Sequence, residues 1–209
     1  MYDFNKNIIF EFARIGEGSF KEAPSLQHLD FSANRFLSLE QETFIELKDL
    51  TSLNLAENQM EDINGLLTSQ PNLKWLNLSQ NHLAWFDYAF IPPGLEWLDI
   101  HQNGVDSLGN YYALRDDYAL KYVDARRNKI TGLEVLSVLP SIQEMHLQDN
   151  MISTIARNTF LGKPNLTTLH LEGNRITSLD MASLMVSVDP ARDEPKMYLA
   201  GNPLICDCR

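Results

Sequence analysis

The chain is poor in cysteine: it has two in 209 residues, Cys206 and Cys208, both among the last four. That excludes a disulfide framework or a four-cysteine zinc site built within the chain. Two thiols one residue apart do not easily bond each other, given the α-carbon separation that a disulfide needs. Their partners are therefore expected beyond Arg209, and a metal site at C-x-C is disfavoured because no further cysteine or nearby histidine accompanies it. Basic residues are also scarce, with 17 Lys and Arg against 28 Asp and Glu and a net charge of −11. Such a surface repels phosphate backbones and anionic membranes and favours basic proteins, so no nucleic-acid partner is expected. No apolar run approaches the roughly 18 residues of a membrane span, and residues 1–20 carry charges throughout, without a leader-like apolar stretch. There is no phosphate loop, metal motif or nucleophile elbow. Acids, histidines and serines recur at a fixed period instead of converging, so the expectation is no enzyme activity, no cofactor and no metal.

What the chain does have is a recurring asparagine. Asn7, Asn34, Asn58, Asn81, Asn103, Asn128, Asn150, Asn174 and Asn202 lie 22 to 28 residues apart, each with an apolar residue three positions before it. The register spells L-x-x-L-x-L-x-x-N-x-L, as from Leu73 to Leu83 and from Leu166 to Ile176, which is the leucine-rich repeat. Each L-x-L alternates, so it reads as a short strand with leucines inward, and stacked copies should pair as a parallel sheet with strands about 4.8 Å apart. The asparagines from Asn34 to Asn174 should form a hydrogen-bonded ladder, since an amide buried at every turn is costly without partners. A bulkier return side then bends the stack. The expected fold is an α/β leucine-rich-repeat solenoid, a curved horseshoe with its parallel sheet on the concave face. Residues 1–195 would be repeats, the first partial, and 196–209 the last strand and the start of a truncated cysteine cap, as in a piece of a longer protein.

Outward strand positions form two columns. The first reads His28, Ser52, Trp75, Trp97, Tyr122, Glu144 and Thr168, and the second Asp30, Asn54, Asn77, Asp99, Asp124, His146 and His170. Trp75, Trp97 and Tyr122 are either interface anchors, the role such residues most often fill, or rings that pack on one another to hold the sheet. Asp99 and Asp124 would be like charges at sheet spacing, tolerable if solvated or met by a basic group, for which Arg126 is placed. Together these five residues make a candidate ligand-binding surface. Two sequons, Asn77-Leu-Ser79 and Asn165-Leu-Thr167, are candidate glycan acceptors, the first on the concave sheet and the second on the rim.

Four segments carry a resemblance to known families. Gly201-Asn-Pro-Leu-Ile-Cys-Asp-Cys208 resembles the opening of the disulfide cap of extracellular leucine-rich-repeat domains. Trp85 to Gly94 followed by Leu95 to His101, Lys163 to Thr167, and the lengthened last repeat from Glu194 to Pro203 resemble arthropod Toll receptors. The likeness runs over about residues 70–208. It implies a type I membrane receptor of innate immunity or development, held outside the plasma membrane by a downstream span absent from this chain. It further implies a protein ligand such as a cystine-knot cytokine, a receptor homodimer, and Cys206 and Cys208 bonded to downstream cysteines. An adhesion or matrix leucine-rich-repeat protein and a cytosolic scaffold are the alternatives.

Overall fold

Nine short strands pair in sequence order into one parallel sheet: β1 (Tyr2–Asp3), β2 (His28–Asp30), β3 (Ser52–Asn54), β4 (Trp75–Asn77), β5 (Trp97–Asp99), β6 (Tyr122–Asp124), β7 (Glu144–His146), β8 (Thr168–His170) and β9 (Lys196–Tyr198). The structure is a computed structural model and describes residues 2–3, 15, 18–63, 65–109, 118–133, 139–157, 159–161, 163–180 and 195–205. Equivalent residues pair throughout, Leu53 with Leu76 and Leu76 with Leu98. A one-residue slip would turn every strand leucine to solvent, so the alternation itself holds the register.

From β2 to β9 the middle residue of each strand points inward. Leu29, Leu53, Leu76, Leu98, Val123, Met145 and Leu169 are fully buried, as are Leu55, Leu78, Ile100, Ala125, Leu147 and Leu171 two positions on. Burying each leucine contributes about 1.5–3 kcal/mol. These two inner columns meet side chains returning along the convex side, among them Phe44, Leu66, Tyr88, Tyr118 and Phe160. At the amino-terminal end of the core, phenylalanines replace leucines, with Phe20, Phe36 and Phe44 grouped round Phe31 at ring distances of 5.6–6.4 Å.

Where the return side is described, it is made of turns and irregular chain. Among the described residues its only helix is a 3₁₀ turn, η1 (Tyr88–Phe90), capped by Asp87, whose Oδ1 accepts the Ala89 N–H at 2.9 Å. No helix among the described residues is long and apolar enough to cross a membrane.

Candidate concave recognition surface

Two backbone devices hold the concave side, and both use the turn after each strand. In the first, the ladder asparagines from Asn58 onward bond in two directions, while Asn34 donates to the Phe31 and Ser32 carbonyls. Asn128 Oδ1 accepts the Val105 N–H at 3.0 Å, while its Nδ2 donates to the carbonyls of Ile100 and Ala125, each at 3.0 Å. The pattern recurs at Asn58, Asn81, Asn103, Asn150, Asn174 and Asn202. To present the amide this way, the residue just before each asparagine is left-handed: Ala33, Glu57, Gln80, Gln102, Arg127 and Asp149 have φ of 53–56°. Such residues are disfavoured there by roughly 1–2 kcal/mol each, and their N–H groups are recruited by the next repeat, as when Gln80 N–H meets the His101 carbonyl at 2.9 Å. Gly173 takes the same position, where a β-carbon would lie 2.5 Å from Asp149 Oδ1.

The second device explains the acidic column. Asp30, Asn54, Asn77, Asp99 and Asp124 each turn a side-chain oxygen onto the backbone N–H two residues on, at 2.8–3.1 Å. This is an Asx turn, which ends the strand and starts the asparagine loop. Asp99 and Asp124 are register partners, only 7% and 2% exposed. Each is met by a base two positions further: His101 Nδ1 lies 2.8 Å from Asp99 Oδ1, and Arg126 Nε 3.2 Å from Asp124 Oδ2. Burial still raises the Asp124 carboxyl above its ordinary value; the Arg126 N–H opposes this and the Asp99 charge adds to it.

The aromatic side chains form a longer feature than the three residues singled out from the sequence. Trp75 stacks on Trp97 at 4.6 Å and 9°, and Trp97 on Tyr122 at 5.2 Å and 3°. The line then crosses to the second column: Tyr122 meets His146 at 5.3 Å, His146 stacks on His170 at 4.6 Å, and His170 on Tyr198 at 4.5 Å. Six rings thus run across six consecutive strands. Each stacked pair contributes about 0.5–1.5 kcal/mol beyond its buried area. Because the rings cover one another's faces, their rims are what the concave space can reach. Burial pushes the Tyr122 hydroxyl up to about 12, with Asp124, Glu144 and Asp99 adding to the rise, so it stays a neutral hydrogen-bond donor. On one flank Glu96 lies 3.4 Å from Lys74 and 2.6 Å from Lys121, and these lysines hold its carboxyl below the usual range.

Trp75, Trp97, Tyr122, Asp99 and Asp124 therefore come together on adjacent strands, the rings stacked and the acids committed to turns and neighbouring bases. Asn77 is half-buried on β4 and Ser79 of its sequon is buried; Asn165 is half-buried before β8. Asn7, Cys206 and Cys208 lie outside the described residues. Sequence reading missed Tyr198 as the last ring, and missed the role of His101, Gln148 and Glu172. The signal was the i, i+2 spacing of D-x-H at 99–101, H-x-Q at 146–148 and H-x-E at 170–172, which puts both side chains on one side of an extended segment.

The leucine rich repeat family matches residues 24–83 and 140–185, about half the chain. Over 152 residues, 72% of this chain and 10% of the relative, the sequence is 43% identical to Toll-like receptor 7 of Drosophila melanogaster. The chain thus spans about a tenth of the length of that receptor. Among solved structures, the APL1 leucine-rich repeat domain superposes with a TM-score of 0.74 at 24% identity, over 90% of this chain and 46% of that one. The TLR13–ssRNA13 complex gives 0.71 at 27% identity, over 88% and 26%. That last similarity corrects one expectation. Net negative charge was taken to exclude nucleic acid, yet a receptor with this fold is solved with single-stranded RNA, and net charge averages over a surface whose local sign decides binding. Family match, repeat register and the 43% identity together place the chain in the leucine-rich-repeat family, as a segment of the Toll-like receptor type.

Proposed function

We propose that this segment belongs to the extracellular ligand-recognition surface of a Toll-type signalling receptor and binds a protein ligand, with a cystine-knot cytokine as the leading class. Trp97 and Tyr122 are its central anchors and Trp75 flanks them. The reading rests on the stacked column Trp75–Trp97–Tyr122, a rigid set of large rings on the concave face. Large rings with little conformational freedom to lose are the side chains that most often dominate interfaces. The buried pair Asp99 and Asp124 contributes field rather than contact, favouring basic partners at long range. The segment acts by recognition, without catalysis or a cofactor, outside the plasma membrane of a longer type I membrane protein. Asn165 carries a glycan on the rim and Asn77 a less occupied one, and Cys206 and Cys208 pair with downstream cysteines.

Binding kinetics of the receptor ectodomain with such a cytokine, at two salt concentrations and beside a thermal melt, test this. Trp97→Ala and Tyr122→Ala should raise the dissociation rate, with a loss on the order of 2 kcal/mol. Asp99→Asn and Asp124→Asn should chiefly slow association and flatten its salt dependence. If Trp97→Ala lowers the melting temperature while the folded fraction binds normally, the rings serve the sheet alone and the anchor assignment is wrong.

A further inference from the structure

The carboxyl-terminal half of the ring column holds a second arrangement, in which the rings are histidines ringed by acceptors. Glu144 and His146 on β7 and His170 on β8 each offer one ligand atom, and these atoms lie within 4.8 Å of one another. His146 Nε2 is 2.6 Å from Glu144 Oε1, and its Nδ1 is 3.3 Å from Gln148 Nε2. His170 Nδ1 is 2.9 Å from Glu172 Oε1. Each imidazole is therefore gripped at Nδ1 by the side chain two residues on. Metal-binding histidines are oriented in this way, the outer partner fixing the tautomer and leaving Nε2 for the ion.

A second observation points the same way. Gln148 Oε1 and Glu172 Oε2 are buried acceptor atoms without a hydrogen-bond partner among the described residues. Buried acceptors without a partner beside a histidine pair are where a water or an ion is bound. Turning the Gln148 amide over would set Oε1 on a protonated His146 Nδ1, moving that proton from Nε2 and freeing Nε2 to ligate.

We propose that Glu144, His146 and His170 form a transition-metal site best matched to zinc, with Gln148 and Glu172 as positioning residues. Two imidazoles and a carboxylate are a zinc-type donor set, with a fourth position left to water or to a partner's side chain. Zinc–ligand distances of about 2.1 Å place tetrahedral ligand atoms about 3.4 Å apart, so the three groups must close in by side-chain rotation. The stacked imidazoles tilt toward each other in doing so. The side chains of His146, Glu144 and His170 are 15%, 41% and 20% exposed, which leaves the ion a path from the concave side. The neighbouring group Asp99, His101 and Asp124 is less suited, because the Arg126 guanidinium already neutralises Asp124. The proposal is independent of which ligand the receptor reading assigns.

Titration of the metal-free chain with zinc chloride by calorimetry, and with cobalt(II) by visible absorption, tests the site. One saturable site is expected, with the intense cobalt bands of four-coordination. His146→Gln and His170→Gln should each weaken zinc about tenfold or more, and Glu172→Gln, which leaves all three ligands in place, should weaken it by about ten- to a hundredfold. The exposed His82 serves as control, and His82→Gln should bind as the unaltered chain does. Thermal melts without metal report whether each variant folds, and the cobalt spectrum of the unaltered chain needs no variant. No saturable binding, a weak six-coordinate cobalt spectrum, or unchanged affinity in folded His146→Gln and His170→Gln would each overturn the assignment.

Discussion

Replacing Asn128 with alanine tests the asparagine ladder at its centre. The side chain accepts the N–H of Val105 and donates to the carbonyls of Ile100, Ala125 and Arg126 at 3.0, 3.0 and 3.3 Å. The losses are unequal. Asn103 also donates to the Ile100 carbonyl and Asn150 to that of Ala125, so both carbonyls keep one donor. Val105 is fully buried and its N–H keeps no partner. An orphaned buried N–H costs about 1–3 kcal/mol, and the remaining lost bonds add about 1, for a total of about 3 kcal/mol. For a chain of this size each kcal/mol shifts the melting temperature by about 2–4 °C, so a fall of about 6–12 °C is expected. Urea unfolding followed by tryptophan fluorescence and far-ultraviolet circular dichroism gives the free energy, with coincidence of the two curves checking that the repeats unfold together. Hydrogen exchange at Val105 adds a local readout, since its amide should lose protection before those of Val123 or Met145. A loss below about 1 kcal/mol would refute the reasoning, because the N–H would then have found another acceptor.

Two further predictions follow from buried polar groups. Asp124→Asn keeps the Asx turn, as Asn54 and Asn77 do at equivalent positions, and removes a buried charge beside Asp99. The folded carboxyl titrates above its unfolded value, so the stability that protonation supplies is complete below the unfolded value and lost as pH rises through the folded one. The melting temperature of the variant relative to the unaltered chain should therefore rise between about pH 3 and pH 7, and a flat or falling difference would count against it. Tyr88→Phe concerns a hydroxyl that is fully buried and lacks a partner among the described residues, its ionisation pushed far up by burial. Its removal should leave stability unchanged or raise it by about 1 kcal/mol; a clear loss by chemical denaturation would mean that the hydroxyl is satisfied.

The solenoid, its parallel sheet and the asparagine turns were legible in the chain because they are local and periodic. Period-two alternation at Leu76 and Leu78 decides which face is buried, and an asparagine three residues on marks the turn that follows the strand. The same period put Trp75, Trp97 and Tyr122 on neighbouring strands, since equivalent residues of a stacked repeat must be neighbours. Stacking brought other things that no single repeat contains. His146 and His170 stand 24 residues apart and resemble no metal motif, because the ligand spacing is set by the distance between strands and not by a turn of helix or loop. For Asp99 and Asp124 the sequence left two states open, solvated or met by a basic group such as Arg126; the structure buries both and sets His101 on Asp99 and Arg126 on Asp124. The crossing of the ring column from Tyr122 to His146 depends likewise on Glu144 displacing an aromatic from the first column. Sequence by itself determined the repeat, its inward leucines and the turn asparagines, because these depend on residues a few positions apart. Tertiary structure alone decided which outward side chains touch, which are covered and which nitrogens are left to ligate, because those depend on contacts between repeats.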